Sequence, residues 1–346
     1  MLTELRVAGA VLAVLIAAYG LLRFRQGAAG KTTLTLALVA AILLGAVAIE
    51  PEIVFGLRDF LGIAGAPLSG LVVALIVAVA ILFVLLLGAS ARIDDTRQRF
   101  DRLVNGLARK TLTVPEGTPR PGVAVILPAL NEAENLDVLL TRIPDRVSGL
   151  DVVAIVVDDG SSDATPTVAV RDRAVLVSHP VNQGGGAALR LGYQVALELG
   201  ATIVVTMDAD GQHDPAQMGR LIAPIIDDRA DFVIGSRLKG EHEAASPIRH
   251  LGIYLFNGLI SVLARRKITD CSSGYRAFRA ADLDRLHLAE NQFHTSETIL
   301  LAVKAGLRLE EVPVTIARRH SGVSKKPKAM RYGWGFLRAI VRAWWR

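Results

Sequence analysis

Hydrophobic positions follow two regimes along the chain. In the first hundred residues they run unbroken. Val7–Leu22 carries no charge over 16 residues, Thr32–Ile49 none over 18, and Phe60–Ala91 none over 32, with the most apolar stretch at Leu71–Leu87. A bilayer core of about 30 Å needs about 20 helical residues. The second and third runs meet that length, and the first does if it starts at Leu2 with Glu4 and Arg6 at the interface. A cleaved signal peptide fits the first run poorly, because it lacks a basic start and a small-x-small cleavage site. The pattern predicts an all-α transmembrane domain over residues 1–91, with spans at about 3–22, 32–50 and 70–90.

Beyond residue 120 the apolar runs shorten and alternate with helical patterns. Val123–Leu127, Val152–Val157, Ala174–Ser178, Ile203–Met207 and Phe232–Ile234 read as buried strands. Helical patterns cover Glu134–Ile143, Ser162–Val170 and Gly184–Gly200. Strands apolar on both faces, separated by helices, predict an α/β domain with a mostly parallel sheet covered by helices on both sides. Between the two regimes, residues 92–110 interleave charged and apolar positions and read as a juxtamembrane helix, solvated or forming a short coiled coil. Thr113–Gly122, with Pro115, Pro119 and Pro121, is a linker by composition. The boundaries expected are a membrane domain at 1–91, a helix and linker at 92–120, a catalytic-type α/β domain at 121–327, and a basic amphipathic helix at 328–346.

Composition narrows the class. The chain of 346 residues is 51% hydrophobic with a mean hydropathy of +0.41, which excludes a disordered protein. One cysteine, Cys271, excludes a disulfide framework and a multi-cysteine metal site within one chain; it reads as a packed thiol. Lys and Arg outnumber Asp and Glu 11 to 7 over residues 1–110, fall behind 19 to 26 over 111–311, and stand 9 to none over 312–346. Arg23, Arg25 and Lys31 lie between the first two spans, and Arg92, Arg97, Arg99 and Arg102 follow the third. Positive loops prefer the cytoplasm, so the expected orientation has the N-terminus outside and the α/β domain at the cytoplasmic face of the plasma membrane. The tail mixes Trp334, Phe336, Leu337, Ile340, Val341, Trp344 and Trp345 with Lys328, Arg331, Arg338, Arg342 and Arg346, as an interfacial helix does. Residues 250–264, apolar beside Arg265, Arg266 and Lys267, form either a core helix or a second interfacial one.

In open α/β sheets ligands bind beyond the carboxyl ends of the strands. Here those ends carry Asn131 and Glu132, Asp158 and Asp159, Asp208 and Asp210, and Ser236 and Arg237. Asp208-x-Asp210 with Gln212 suits an oxygen-ligated divalent cation such as Mg²⁺ or Mn²⁺ bridging phosphate oxygens, although Asp-Ala-Asp-Gly is also good turn composition. His213 reads as support for the ligands rather than a ligand. Gly184–Gly186 before a helix is open to two readings, a phosphate cradle or a tight turn with close helix packing. It does not fit G-x-G-x-x-G, and no P-loop pattern occurs. Glu297 is a helix cap or a site carboxylate.

Seven blocks, Val123–Leu136, Val156–Thr165, Asn182–Gly192, Val205–Pro215, Gly235–Arg237, Asp270–Phe278 and Glu311–Lys325, stand out together. In this order they resemble glycosyltransferase family 2, nearest the dolichyl-phosphate mannose synthase and polyprenyl-phosphate glycosyltransferase branch. The resemblance implies a GT-A fold and an inverting transfer of one sugar from a UDP- or GDP-linked donor to a polyprenyl phosphate. Carried over by position, Pro128, Leu130, Glu132, Asp158, Asp159, Asp208 and Gly184 would bind the nucleotide-sugar, and Asp208, Asp210 and Gln212 the Mg²⁺ or Mn²⁺. Asp210, Arg237 and Arg249 would act at the reacting phosphates, and Arg319, Ser324 and Lys325 would meet the acceptor phosphate. The sequence departs from many relatives at Gly185, where they have lysine, and at Leu130, where they have tyrosine. The partners implied are the donor, the lipid acceptor and a membrane, with no nucleic acid, and a homo-oligomer is open through the membrane or juxtamembrane helices. The competing expectations are a family 2 enzyme acting on a polysaccharide or protein, and an inactive membrane scaffold.

Overall fold

The computed structural model describes residues 2–25, 31–49, 78, 82, 96, 99–171, 174–240, 247–317, 335, 337–341 and 343–344. The third expected span, apart from residues 78 and 82, and the acceptor-side residues Arg319, Ser324 and Lys325 lie outside them, as does the side chain of Arg249. The chain forms two compact units, Met1–Phe100 and Asp101–Arg346.

The first unit contains helices α1 (Leu2–Arg25) and α2 (Lys31–Ile49), at the places of the first two apolar runs. They meet along small residues: a Cβ at Gly9 would lie 3.1 Å from Ala48 Cβ, one at Gly20 2.6 Å from Ala37 Cβ, and one at Gly45 3.7 Å from Ala13 Cβ. Ala13, Ala40, Ala41 and Ala48 are buried, while Val7, Val11, Val14, Leu15, Tyr19, Val39 and Ile42 are exposed. That is the reverse of a helix pair in water, which buries its large apolar side chains. Counted over the described residues alone, no helix is long and apolar enough to cross a membrane. Several side chains of both helices fall outside the described set, and the sequence from Thr32 to Ile49 carries no charge.

The second unit is built on an eight-stranded sheet of β1 (Val123–Ala129), β2 (Arg146–Val147), β3 (Leu150–Asp158), β4 (Val175–Ser178), β5 (Ile203–Thr206), β6 (Phe232–Ser236), β7 (Arg276–Arg279) and β8 (Leu309–Pro313). Its order is β2-β3-β1-β5-β7-β6-β8, with β4 also on β3. The five expected strands appear, and six of the eight strands run in one direction, so the sheet is mostly parallel as expected but mixed. β7 runs antiparallel between β5 and β6, and β2 runs antiparallel to β3. β7 is only four residues and reads Arg-Ala-Phe-Arg, so periodicity alone could not identify it. Its register pairs Thr206 with Arg276, so the residues preceding β7 emerge at the same edge as those following β5.

The sheet divides two cores by its period of two. Along β1, Val123, Val125 and Leu127 face one and Ala124 and Ile126 the other. On the first side lie α4 (Ala133–Arg142), α5 (Thr165–Arg171) and α7 (Met218–Ile226). On the second lie α6 (Gly185–Glu198), α8 (Pro247–Leu263) and α9 (His294–Lys304). Two segments expected at the membrane surface also join this second core. The helical residues 99–109, α3, bury Val104 and Ala108, and the tail buries Ala339, Ile340 and Ala343. The expected solvated connector is therefore a docked helix, and the described part of the tail is held by one face to the domain. Lys304 secures it, donating to the carbonyls of Ala343 and Trp344 and lying 5.3 Å from the Trp344 ring.

Candidate active site

The carboxyl edge of the sheet gathers the polar strand ends. After β1 the chain turns at Asn131, whose φ of 50° is one that asparagine tolerates. Asn131 accepts from Ser162 N at 2.8 Å and donates its own N–H to Ser161 Oγ at 2.9 Å, joining this turn to the one after β3. Pro128, Leu130 and Glu132 line the β1 end half-buried, and Glu132 accepts from Asn135 Nδ2 at 2.6 Å. Asp158, paired in register with Ala129, accepts from Ser161 N at 2.9 Å.

Asp159 and Gly184 have a different role from the one expected. The Asp159 carboxylate is buried and accepts from Gln183 N at 2.9 Å and Gly184 N at 2.7 Å, with His179 Nδ1 2.8 Å from the same Oδ1. Its oxygens are directed to the protein's own backbone, and the Gly184 N–H is donated to it. The glycine run is a packing device: a Cβ at Gly186 would stand 2.1 Å from Glu290 O, and Gly186 N donates to Asn291 O at 2.7 Å. Of the two readings of Gly184–Gly186, the structure supports close helix packing. Glu297 likewise turns inward, accepting from Ala289 N and Glu290 N.

Asp208 follows β5 and is exposed; Asp210 is half-buried, accepting from Gln212 N at 3.1 Å. Beneath them His213 is buried, accepts from Asp208 N at 3.2 Å and stacks on Tyr275 at 5.0 Å. Gln212 Nε2 donates to Ala317 O at 3.1 Å and its carbonyl accepts from Ala317 N, tying this loop to the chain after β8. Among the described residues no group of three His, Cys, Asp or Glu could hold a metal ion. A pair of carboxylates is nevertheless the protein share that Mg²⁺ or Mn²⁺ takes when substrate phosphates and water complete its oxygen shell, and Asp208 and Asp210 fit that donor set.

Arg237, after β6, is the most organised cation of the edge. Its backbone N–H and Nε both donate to Asp270 Oδ2, at 3.1 and 2.7 Å, and Nη2 donates to Asp270 Oδ1 at 2.8 Å and to Ser272 Oγ. Burial works to raise the Asp270 pKa, but the Arg237 hydrogen bonds and charge outweigh it and hold the carboxyl below its ordinary value. Burial likewise works to lower the Arg237 pKa; Asp270 above all, and then Asp208, keep it raised. Asp270 is itself placed by β8, where the buried Glu311 carboxylate accepts from Thr269 N at 2.9 Å and Asp270 N at 3.2 Å. From the core side Arg276 donates to Ser273 O at 2.8 Å and Cys271 O at 3.1 Å. Sequence reasoning assigned no role to Asp270, Ser272, Gly274 or Glu311. They reach the edge only because β7 is antiparallel and β8 pairs with β6, and neither pairing can be read from local pattern.

The comparisons place this α/β sheet, with its acidic pair and clamped arginine at the carboxyl edge, among transferases of GT-A-like fold. The family description "Glycosyl transferase family 2" matches residues 124–286. The undecaprenyl-phosphate mannosyltransferase of Micrococcus luteus is 37% identical over 215 residues, covering 59% of this chain and 86% of that protein. The UDP-N-acetylglucosamine–dolichyl-phosphate N-acetylglucosaminyltransferase of Methanococcus voltae is 32% identical over 217 residues, covering 56% and 84%. The crystal structure of glucosyl-3-phosphoglycerate synthase from Mycobacterium tuberculosis, in complex with Mn²⁺, UDP and phosphoglyceric acid, superposes with a TM-score of 0.52 at 22% identity, covering 64% of this chain and 78% of that one; it shares the fold. The chain belongs to glycosyltransferase family 2, and it is a glycosyltransferase with a GT-A-like fold.

Proposed function

We propose that this protein transfers a single sugar, with inversion, from a UDP- or GDP-linked donor to a polyprenyl phosphate at the cytoplasmic face of the plasma membrane. The observation that carries the reading is the convergence of Asp208, Asp210 and the Asp270-clamped Arg237 at one sheet edge. The names of the two relatives support the acceptor class, since both contain a polyprenyl-type phosphate while their sugars differ.

The chemistry suits the residues. A phosphate monoester is anionic at pH 7 and needs little activation by a base. Asp270, engaged by Arg237, is held below its ordinary pKa and serves to fix that guanidinium. The remaining tasks are positioning, relief of repulsion between anions, and stabilisation of the departing nucleoside diphosphate. Arg237 presents a fixed guanidinium for the last of these. Asp208 and Asp210, with Gln212 beside them, would hold Mg²⁺ or Mn²⁺, which when bound supplies positive charge to the diphosphate. The Mn²⁺ and UDP named with the Mycobacterium tuberculosis structure support that choice. Pro128, Leu130, Glu132 and Asp158 are assigned to the nucleoside, Arg249 to the phosphates, and Arg319, Ser324 and Lys325 to the acceptor.

The membrane part of the reading is supported by the inside-out packing of α1 on α2. Seams of small residues with large apolar side chains outside suit lipid, which offers apolar surface at no cost. On the second unit, α8 exposes Tyr254, Leu255 and Val262 ahead of exposed Arg265, Arg266 and Lys267, and the tail exposes Val341 and Trp344. Apolar side chains rimmed by cations suit an anionic interface. The experiment is to incubate the purified protein with labelled nucleotide-sugars and short polyprenyl phosphates. Label in the lipid extract is the expected result; label only in polymer or protein, or in nothing, overturns the reading.

A further inference from the structure

Asn105, on α3, touches the carboxyl edge of the sheet through a buried histidine. His179 follows β4, and its side chain is completely buried. One ring nitrogen lies 2.8 Å from Asp159 Oδ1, the other 3.1 Å from Asn105 Oδ1. The backbone of His179 is fixed to the same edge, donating to Asp158 O at 2.8 Å. Asp159 in turn holds Gln183 N and Gly184 N. The loop from Val181 to Gln183 is pressed against the turn after β3, where a Cβ at Gly160 would stand 2.9 Å from Asn182 N. That turn is the one joined to Asn131 through Ser161 and Ser162.

A buried imidazole between two oxygens is costly to leave half-paired. Removing the Asn105 oxygen strands one ring nitrogen, and the ring then has reason to leave its seat beside Asp159. The consequence would travel through a chain of direct contacts: Asp159 loosens, then the 181–184 loop, then the 158–162 turn that walls the crevice where a nucleoside would lie.

We propose that Asn105 and His179 are positioning residues for the donor: α3, the helix that opens the second unit, is part of the wall that shapes the nucleotide crevice. The docking of α3 supports this. Its Val104 and Ala108 are buried against the domain, Thr113 beyond it exchanges two backbone hydrogen bonds with Leu176 on β4, and Arg109 pairs with Glu198 at the end of α6. The inference rests on the proposed donor class, and its test is chosen to separate the two.

The test uses the full chain and three proteins: wild type, Asn105→Leu, which removes the oxygen at similar volume, and Asn105→Asp, which keeps one. UDP and GDP, each with Mn²⁺, are titrated against all three, and KM for a short polyprenyl phosphate is measured alongside. We expect Asn105→Leu to weaken the diphosphate that binds wild type about tenfold, the scale of one lost hydrogen bond, with the polyprenyl-phosphate KM unchanged. Asn105→Asp should stay within about twofold of wild type. Equal diphosphate affinity in all three proteins overturns the inference and leaves the functional reading standing, even if melting temperatures fall; equal weakening of diphosphate and acceptor also overturns it. Failure of wild type to bind either diphosphate overturns the functional reading and the inference with it. If Asn105→Leu does not accumulate as folded protein, Asn105→Ala replaces it under the same criteria.

Discussion

Gly274 lies directly against Asp208: a Cβ there would stand 2.8 Å from Asp208 Oδ1 and 3.1 Å from Oδ2. The carboxylate can hold its place only because residue 274 has no side chain. The Gly274 carbonyl is fixed as well, accepting from Thr206 Oγ1 at 2.7 Å, so the backbone cannot yield easily. Gly274→Ala should therefore displace Asp208 while the sheet still folds. A shift of about 1 Å at such a group costs on the order of 100-fold in rate. Steady-state transfer measured beside a circular-dichroism melt checks it, and full activity in the variant would show that Asp208 need not sit where the structure puts it.

Asp210→Ala should abolish transfer in a folded protein, because half of the acidic pair is gone. Wild type should fall silent in excess EDTA and recover with Mn²⁺ or Mg²⁺. Turnover in EDTA at the untreated rate contradicts the role assigned to the pair.

The Arg237–Asp270 clamp sets a pH dependence. The Asp270 pKa is depressed in the folded protein, so its stabilisation is complete above the unfolded value of about 3.9. It diminishes as pH falls below that value and is gone beneath the lowered folded one. Asp270→Asn removes the charge and leaves a largely buried guanidinium uncompensated, which costs about 3 kcal/mol. The variant should lose stability at pH 7 and show a flatter acid limb. Urea melts of both proteins between pH 7 and pH 3 measure this; parallel curves would remove Asp270 from the account.

Cys271 should be inert. Burial, reinforced by the neighbouring Asp270, pushes its thiol up to about 12, far from the thiolate that reacts. A maleimide at pH 8 should label unfolded protein and leave native protein unmodified. Rapid native labelling would mean that the 270–275 loop opens.

The α1–α2 hairpin makes a membrane test. Val14 and Leu15 are 67% and 59% exposed, and a lysine in mid-bilayer costs about 3 kcal/mol. Val14→Lys with Leu15→Lys should move the protein out of the carbonate-washed membrane fraction. Gly20→Leu should instead disrupt the seam, where a Cβ already approaches Ala37 Cβ to 2.6 Å, and leave the protein in the membrane. Retention of the double-lysine protein would argue that this face does not meet lipid.

By itself the sequence determined what depends on local order. The runs at Val123–Leu127, Val152–Val157 and Ile203–Met207 became β1, β3 and β5 because a strand buried on both faces must be apolar throughout, and Asp158, Asp208 and Arg237 were found at the carboxyl ends of such runs. The first two apolar runs became α1 and α2, whose length and lack of charge are local properties. Only the tertiary structure decided what depends on pairing between distant segments. The four-residue β7 carries no periodic signal, yet its antiparallel insertion delivers Asp270 and Gly274 to Arg237 and Asp208 from 33 and 66 residues away in the chain. The same holds for Asp159 and Gly184, which read as ligand contacts until His179 is seen beside the Asp159 carboxylate and the Gly184 N–H is seen to be donated to it. It holds too for α3 and the tail, whose alternation of charged and apolar residues does not say which apolar face the protein covers. A strand's burial is written in its own residues; a partner chosen from another part of the chain is settled only when the sheet closes.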